Sequence, residues 1–426
     1  MKKLLLILLC LPMIGFGQGW EKIFGGILND YGFSVQQTND GGYILSGATY
    51  SYGNGGRDVY LIKTDGNGDI TFTKTFGGNL DDYGYSVQQT TDGGYIITGF
   101  TSSFGTGVYL IKTDGNGDSL WTKTFGNATL EAEVGKSVQQ TNDGGYIIAG
   151  WTYHPTGGYE CDIYLIKTDG NGDLLWTKTF GGTSYDYGES VQQTTDGGYI
   201  ITGFTFENGG YIYLIKTDGN GDSLWTKTIE GDEGYSVQQT TDGGYVIAGI
   251  TNFSSTNGSD VYLIKTDGNG DSLWTKTFEG TGYDEGYSVQ QTTDGGYIIG
   301  GRKSLSNTDS DVYLIKTDGN GDSLWTKTFG GTGYDYGYSV QQTTDGGYII
   351  VGTTEDSGDV YLIKTDSQGN VTSTFNIALN PNRKLEKVVD ILGRETKPQT
   401  NIPFIGIYDD GEFAIFSKMI SISFCF

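Results

Sequence analysis

Histidine, cysteine and proline are scarce in this chain of 426 residues, which contains one histidine, three cysteines and five prolines. The single histidine, His154, excludes a histidine-rich zinc site and supplies at most one histidine base for a catalytic triad. Cys161 and Cys425 are the only cysteines after Cys10, which is too few for a disulfide framework. We therefore expect a fold that is stabilised by packing.

Positive charge is also scarce, because 26 lysines and arginines face 51 aspartates and glutamates and leave a net charge of −25. Nucleic-acid binders neutralise phosphates with stripes of lysine and arginine, and this sequence has no such stripe. The composition therefore predicts no nucleic-acid partner. Cations, sugars and proteins remain admissible partners.

Only one apolar run is prominent, and it is short of the roughly 20 residues that span a bilayer. It extends from Leu4 to Phe16, follows Lys2 and Lys3, and precedes Gly17-Gln18-Gly19. A charged start, an apolar centre and small residues at the end are typical of a secretory signal peptide. We predict that residues 1–18 are such a peptide, that the protein is exported, and that the mature chain has no membrane span.

Glycine and aromatic residues are abundant, with 72 glycines, 31 tyrosines, 20 phenylalanines and 7 tryptophans. Glycine at this density disfavours helices, since each one costs a helix about 1 kcal/mol. Bulky aromatic side chains suit the pleated surface of a sheet. The composition therefore predicts an all-β protein.

A repeated unit fills most of the chain. Its marker, Ser-Val-Gln-Gln-Thr, begins at Ser34, Ser86, Ser137, Ser190, Ser236, Ser288 and Ser339. In the unit from Ser86 we predict strands a to d at residues 86–90, 95–100, 108–112 and 120–125, with turns at 92–94 and 114–118. Seven units of four short strands predict a seven-bladed β-propeller over residues 19–377.

An open β-solenoid is the alternative, and it would need polar capping repeats at its ends. The two ends of the repeat region instead complement each other. The last unit lacks the tryptophan of strand d at Val371–Phe375, whereas Trp20–Phe24 copies strand d ahead of the first unit. We predict that Trp20–Phe24 closes the ring as the fourth strand of blade 7, which removes a free sheet edge.

One aromatic residue recurs at the same place in strand d. These residues are Trp20, Trp121, Trp176, Trp225, Trp274 and Trp325, with Phe72 in the first unit. We predict a structural role in which each ring packs between neighbouring blades, so that truncation to alanine costs about 3 to 5 kcal/mol. Stacking on a carbohydrate is the alternative role.

The two faces of the predicted propeller differ in kind. The a–b and c–d turns share one face, the constant-turn face, and carry Asp-Gly-Gly and Asp-Gly-Asn-Gly-Asp almost unchanged. The b–c and d–a loops share the other face, the variable-loop face, and carry every change of length. Variation on a rigid scaffold is typical of a binding face.

The d–a loops repeat an acidic residue, a variable residue and glycine. The candidate ligand residues are Asp30, Tyr31, Asp82, Tyr83, Asp186, Tyr187, Asp284, Asp335 and Tyr336. Tyrosine stacks on sugars, and carboxylates accept sugar hydroxyls or bind calcium, so we expect a surface ring that binds a glycan, a protein or a cation. The alternative is that each aspartate caps its own turn.

Asp-Gly-Asn-Gly-Asp resembles the opening of an EF-hand, yet Ser119 stands at position six and Phe125 at position twelve of the loop from Asp114. An EF-hand needs glycine and glutamate there, so the segment is interpreted as a hairpin turn. No cofactor is predicted, and calcium is the one candidate metal.

Catalytic residues are not assigned, because nearly identical blades do not create the unequal environments that separate an acid from a base. The sequence favours a secreted or cell-surface non-enzymatic binding or adhesion protein. The alternatives are a secreted polysaccharide-degrading enzyme on a propeller scaffold and a purely structural surface repeat.

Two family resemblances refine this prediction. Residues 108–123, Val-Tyr-Leu-Ile-Lys-Thr-Asp-Gly-Asn-Gly-Asp-Ser-Leu-Trp-Thr-Lys, resemble the repeats of exported Bacteroidetes propeller-like proteins and, more distantly, the tryptophan-docking repeats of quinoprotein propellers. The resemblance implies the propeller fold. Quinoprotein enzymes also need cofactor ligands that differ between blades, and no such set is present.

The C-terminal segment resembles the type A-like sorting domain of the Bacteroidetes type IX secretion system at residues 383–396 and 407–411. The resemblance implies that residues 378–426 form a small β-rich sorting module, that the type IX machinery is a partner, and that the protein reaches the outer-membrane surface or the medium. Residues 412–426 depart from the charged strand usual in that family. A small β-module that packs on the propeller is the alternative.

Overall fold

The computed structural model describes residues 19–126, 133–153, 160–207, 210–252, 258–280, 282–306, 308–354 and 358–371, and in the C-terminal part 385–390, 394, 404–408 and 413–416. The predicted signal peptide, His154 and most of the predicted sorting segment lie outside the described residues. No helix in these ranges is long and apolar enough to cross a membrane.

Strand β1 (Trp20–Phe24) precedes seven blades, and the strands a, b, c and d of each blade follow one another along the chain. Blade 1 contains β2 (Asp30–Gln37), β3 (Tyr43–Thr49), β4 (Asp58–Thr64) and β5 (Ile70–Phe76). Blade 2 contains β6 (Asp82–Gln89), β7 (Tyr95–Thr101), β8 (Gly107–Thr113) and β9 (Ser119–Phe125). Blade 3 contains β10 (Val134–Gln140), β11 (Tyr146–Tyr153), β12 (Cys161–Thr168) and β13 (Leu174–Phe180). Blade 4 contains β14 (Asp186–Gln193), β15 (Tyr199–Thr205), β16 (Tyr211–Thr217) and β17 (Ser223–Ile229).

Blade 5 contains β18 (Glu233–Gln239), β19 (Tyr245–Thr251), β20 (Asp260–Thr266) and β21 (Ser272–Phe278). Blade 6 contains β22 (Glu285–Gln291), β23 (Tyr297–Ser306), β24 (Asp309–Thr317) and β25 (Ser323–Phe329). Blade 7 contains β26 (Asp335–Gln342), β27 (Tyr348–Thr354) and β28 (Asp359–Thr365), and its sheet order β1-β28-β27-β26 makes β1 its fourth strand. The seven-bladed all-β propeller is confirmed, and so is its closure by Trp20–Phe24.

Strand a begins earlier than predicted and contains a β-bulge. In blade 2 it starts at Asp82 rather than at Ser86, because the pairing with β7 continues past a register shift between Gly84 and Ser86. Tyr85 is the extra residue at that bulge. The acidic motif of the d–a segment is therefore placed at the start of the inner strand instead of in a loop.

The Ser-Val-Gln-Gln motif supplies hydrogen-bond acceptors for main-chain N–H groups at the inner edge of the next blade. Strand a has no strand partner on the channel side, so side chains of the preceding blade accept its N–H groups. At the closure between blades 7 and 1, the Val35 N–H donates to Ser339 Oγ at 3.4 Å, and the Gln37 N–H donates to Gln341 Oε1 at 2.6 Å. The same pair of bonds recurs at all seven junctions.

The hydrophobic core is divided into seven clusters, one between each pair of adjacent blades. Between blades 1 and 2, for example, Ile44 and Leu61 pack on Tyr95 and Ile97, and all four side chains are buried. Apolar residues on both faces of strands b and c produce this arrangement, because each blade is covered by a neighbour on both sides.

The tryptophans of strand d pack on the next blade. Trp121 lies edge-on to Tyr146 with ring centres 6.0 Å apart, and a methyl group added to Gly172 would come within 2.6 Å of the Trp121 ring. Gly172 has a φ of 76°, so this turn position needs glycine for both its conformation and its close approach. Trp20 makes the same edge contact with Tyr43, at 5.8 Å.

The constant-turn face carries the same ion pair, between a buried lysine and an exposed aspartate, in every blade. Lys63, which is 5% exposed, lies 3.0 Å from Asp40 of the Asp-Gly-Gly turn. Partial burial alone would raise the pKa of Asp40, but hydrogen bonds from Thr38, Gly42 and Lys63 outweigh it and lower the pKa to about 2. The corresponding aspartates of blades 2 to 5 also have pKa values of about 2.

We expect acid to destabilise the ring between about pH 4 and pH 2. A carboxyl group whose pKa is lowered by folding contributes stability above its unfolded pKa, and this stability is lost as the pH falls through the folded pKa. Thermal melting from pH 5 downwards checks this expectation. The variant Asp40→Asn should melt at lower temperature at pH 6 and show a shallower fall in acid, and an acid profile identical to that of the unchanged chain would contradict it.

The chain divides into two compact units, Met1–Thr372 and Ser373–Phe426. The described part of the second unit is an antiparallel sheet of β29 (Leu385–Asp390), β30 (Phe404–Tyr408) and β31 (Phe413–Phe416).

Candidate ligand-binding face

The aspartates expected to ring the surface are buried at the start of strand a or, for Asp284, directly before it. Asp30, Asp82, Asp186, Asp284 and Asp335 are at most 2% exposed. Four of them accept a main-chain hydrogen bond from the d–a loop before them, as Asp82 Oδ2 does from the Gly78 N–H at 3.0 Å. This corrects the expectation of an exposed carboxylate ring and agrees with the alternative that the aspartates cap their own turns.

The tyrosines of the same motif are half-buried and lie beside a second aromatic residue of strand a. Tyr83 stacks on Tyr85 with ring centres 5.6 Å apart, and Tyr336 stacks on Tyr338 at the same distance. Tyr31 stacks on Phe33 at 6.2 Å. In blade 4, Tyr187 packs on Phe204 at 4.9 Å instead.

A ring of seven side chains surrounds the channel mouth on the variable-loop face. Its members, one from the bulge of each strand a, are Phe33, Tyr85, Lys136, Glu189, Tyr235, Tyr287 and Tyr338. A β-bulge re-aims the side chain of its extra residue, which is how one strand position supplies the whole ring. We call these residues the mouth ring.

Neighbouring members of the mouth ring contact each other. Phe33 lies between Tyr85, at 5.2 Å, and Tyr338, at 5.6 Å. Tyr287 lies 5.3 Å from both Tyr235 and Tyr338. The aromatic residues of blades 5, 6, 7, 1 and 2 therefore form a continuous arc.

Blades 3 and 4 interrupt the aromatic arc with charge. Lys136 lies 3.3 Å from Glu189 and 5.0 Å from the centre of the Tyr85 ring. The sequence-based prediction missed this ring because its position lies between glycine and Ser-Val-Gln-Gln and resembles a part of the constant motif. Its signal was that this one residue changes between phenylalanine, tyrosine, lysine and glutamate while its neighbours do not.

Carboxylates of blades 5 and 6 lie beside the arc. Glu285 is 7% exposed, pairs with Arg302 at 3.0 Å and accepts a hydrogen bond from Tyr287. Glu233 accepts a hydrogen bond from Tyr235. Burial, together with the charges of Glu189 and Glu285, raises the pKa of Glu233 despite that hydrogen bond.

An arginine is held between aromatic rings on the opposite side of the mouth. The guanidinium carbon of Arg57 lies 4.3 Å from the centre of Tyr50 and 5.2 Å from that of Tyr83. The guanidinium group also pairs with Asp81 at 3.2 Å. Cation–π contacts and an ion pair fix this side chain, so the rigid scaffold extends into the b–c loop of blade 1.

The channel behind the mouth has a volume of about 240 Å³ and is lined by the valine and first glutamine of each Ser-Val-Gln-Gln motif. Each of these glutamines uses its Oε1 atom to accept a hydrogen bond from the next blade, as Gln36 does from the Gln89 N–H at 2.6 Å. The lining is therefore structural and uniform, whereas the mouth is unequal between blades.

Exposed aromatic side chains are concentrated in the variable loops. Among the residues that the structure describes, they are Tyr50, Tyr52, Phe104, Tyr185, Phe206 and Tyr283. The exposed leucines and isoleucines divide between these loops and the outer strands, where Leu120, Leu175, Leu224, Leu273 and Leu324 project from strand d. No three histidine, cysteine, aspartate or glutamate residues within the described ranges form a group that could hold a metal ion.

Comparison with known proteins supports the fold. No family model and no curated protein matches this chain. The WD40 domain of Pan2 from Neurospora crassa is similar in structure, with a TM-score of 0.52 and 10% identity over 80% of this chain and 91% of that domain. Sqt1 from Chaetomium thermophilum has a TM-score of 0.49 at 10% identity over 93% of this chain and 100% of that one, and the Dos1 propeller has a TM-score of 0.49 at 13% identity over 82% and 96%. At such identities the likeness to Pan2 establishes the propeller fold alone.

Proposed function

We propose that this protein is an exported, non-enzymatic binding protein whose variable-loop face recognises a glycan, a protein or another surface polymer. The observation that carries the proposal is the contrast between the two faces. The constant-turn face repeats one ion pair and two turns in every blade, whereas the variable-loop face presents exposed aromatic rings and the unequal mouth ring. Aromatic side chains held on a rigid scaffold supply contact area at low entropic cost.

The location of the protein is part of this proposal. The signal-peptide pattern of residues 1–18 and the sorting-domain resemblance of residues 378–426 support export to the outer-membrane surface or the medium through the type IX machinery. The net charge of −25 supports a neutral or basic ligand rather than a polyanion.

Removing exposed aromatic residues of the variable loops should weaken binding. We expect the triple variant Phe104→Ala, Phe206→Ala, Tyr283→Ala to bind at least about tenfold more weakly, because aromatic residues dominate binding energy at interfaces. These side chains are 50–54% exposed, so their removal should leave the melting temperature almost unchanged. Glycan arrays and pull-downs from cell envelopes identify the ligand, and titration calorimetry measures its affinity.

The matched control is Leu120→Ala, Leu224→Ala, Leu273→Ala. These leucines are 59–60% exposed on strand d, away from the variable loops, so this variant should bind as the unchanged chain does. Equal affinity of the aromatic variant and the leucine variant would refute the variable-loop face as the ligand surface.

One observation favours the alternative of a polysaccharide-degrading enzyme. Glu233 has a raised pKa and the charges of Glu189 and Glu285 nearby, and an acid with a raised pKa beside another carboxylate is a feature of glycoside hydrolases. New reducing ends after incubation of the purified protein with a bound glycan, absent in Glu233→Gln, would replace the binding proposal with this one.

A further inference from the structure

Pairs of aspartates meet at the junctions between blades on the variable-loop face. One member lies at or near the start of strand c of a blade, and the other lies at the start of strand a of the next blade or directly before it. The pairs are Asp58 with Asp82, Asp162 with Asp186, Asp260 with Asp284, Asp311 with Asp335, and Asp359 with Asp30. Blade 2 has Gly107 and blade 4 has Tyr211 at the position of the first member, so their following junctions lack the pair.

The two carboxylates of a pair approach each other across a glycine. Between blades 1 and 2, a methyl group added to Gly77 would lie within 2.7 Å of both Asp58 Oδ1 and Asp82 Oδ2. Between blades 7 and 1, a methyl group on Gly25 would lie within 2.9 Å of the corresponding oxygens of Asp359 and Asp30. The first residue of the d–a loop is glycine here because a larger residue would occupy the space between the carboxylates.

The pair between blades 1 and 2 is buried without a countercharge. Asp58 is 2% exposed and Asp82 is 0% exposed, and no lysine or arginine of the described residues forms an ion pair with either. Asp82 Oδ1 is buried and accepts no hydrogen bond. Asp82 Oδ2 accepts hydrogen bonds from the Gly78 N–H at 3.0 Å and the Ser103 hydroxyl at 2.7 Å, and Asp58 Oδ2 accepts one from the Asn54 N–H at 2.7 Å. Two neighbouring buried carboxylates repel each other unless a proton or a cation lies between them.

One junction shows how the chain itself supplies a cation. Between blades 5 and 6, the Lys303 ammonium lies 3.6 Å from Asp284 Oδ2, and Asp284 is fully buried. Lys303 belongs to strand b, where it pairs in register with Asp311 of strand c. The other six blades have threonine at this register position, namely Thr49, Thr101, Thr152, Thr205, Thr251 and Thr354.

We propose that a calcium ion binds between Asp58 and Asp82 and supplies the positive charge that Lys303 supplies to Asp284 in the junction of blades 5 and 6. Carboxylate oxygens are hard ligands that favour calcium over zinc or copper. Two carboxylates leave the rest of the coordination to main-chain carbonyl oxygens and water. Such a site matches the weak affinities of extracellular modules, with a Kd on the order of 10⁻⁴ to 10⁻³ M.

Thermal melting of the mature chain at neutral pH in millimolar calcium and in chelator tests the site. We expect calcium to raise the melting temperature by about 2–4 °C for a site occupied about tenfold above its Kd. Asp82→Asn should raise the melting temperature in chelator and shrink the calcium increment, because it removes one charge of the repelling pair. Terbium luminescence, competed by calcium, measures binding directly and does not depend on the stability of any variant.

Two substitutions at the register position of Lys303 provide matched controls. Thr101→Lys places an ammonium beside Asp82 and should reduce terbium binding, whereas Lys303→Thr removes the built-in cation and should increase the calcium increment. A melting temperature that ignores calcium and chelator but rises as the pH is lowered towards 5 would show a shared proton in place of a metal and overturn the proposal. Terbium binding unchanged in both Asp82→Asn and Thr101→Lys would overturn it as well.

Discussion

A chain that begins at Gly25, and therefore lacks β1, is expected to lose its monomeric ring and to associate through the freed edge of β28. In the complete chain, residues Trp20 to Phe24 pair with Lys364 to Val360 in antiparallel register. Phe24 is 7% exposed in the core between blades 7 and 1, and Trp20 packs against the same core. Removal of both aromatic side chains should cost about 5 kcal/mol or more of unfolding free energy, and the open edge invites pairing with a second chain.

Size-exclusion chromatography with light scattering and urea unfolding measure these two effects. The variant Trp20→Ala, which keeps the strand, should remain monomeric and lose only part of the stability. Its comparison with the shortened chain separates the loss of an aromatic side chain from the loss of a strand. A shortened chain that elutes as a monomer with an unchanged urea midpoint would show that β1 does not hold the ring closed.

Gly203→Ala should destabilise the propeller by more than about 3 kcal/mol, because the new methyl group would overlap the main-chain oxygen of Tyr187. Gly203 lies in strand b opposite the bulge of strand a, where it pairs with Gly188. A main-chain atom inside a paired strand cannot move aside as a flexible side chain can. The bulge would have to shift, and the mouth-ring residue Glu189 would shift with it.

Gly197→Ala in the same blade is the matched control. Gly197 has a φ of 86° and open space around its missing side chain, so alanine there costs only the backbone strain of about 1 kcal/mol. Urea unfolding of both variants measures the difference. Equal losses of stability would show that the close approach of strands a and b at the bulge does not limit the side chain at position 203.

The fold followed from the sequence because the same short-range signals recur seven times. Tight turns, apolar strands and an aromatic residue in strand d recur from copy to copy, and Trp20 supplies the strand that the last copy lacks. The predicted start of strand a is too late because the prediction places it at the Ser-Val-Gln-Gln-Thr marker. In the structure, Gly84 precedes a bulge and pairs with Gly99, so the strand continues through it.

The candidate site was harder to predict because its residues come together across blades. The mouth ring is formed by residues one whole unit apart, and a bulge decides where they project. The pair of Asp58 and Asp82 joins the end of one variable loop to the start of the next blade's inner strand. Spacing within one unit does not show that these two carboxylates share a junction, whereas the burial and position of Asp82 make it evident.

Ring closure joins the first strand of the folded domain to the last, and this has a consequence for the order of folding. During synthesis, which starts at the N-terminus, β1 has no partner strand until β28 has been made, more than three hundred residues later. Blades 1 to 6 contain their own four strands and can form one after another, but blade 7 must wait. The propeller can therefore be completed only after the whole repeat region is present. A chain truncated in any blade retains an unpaired β1.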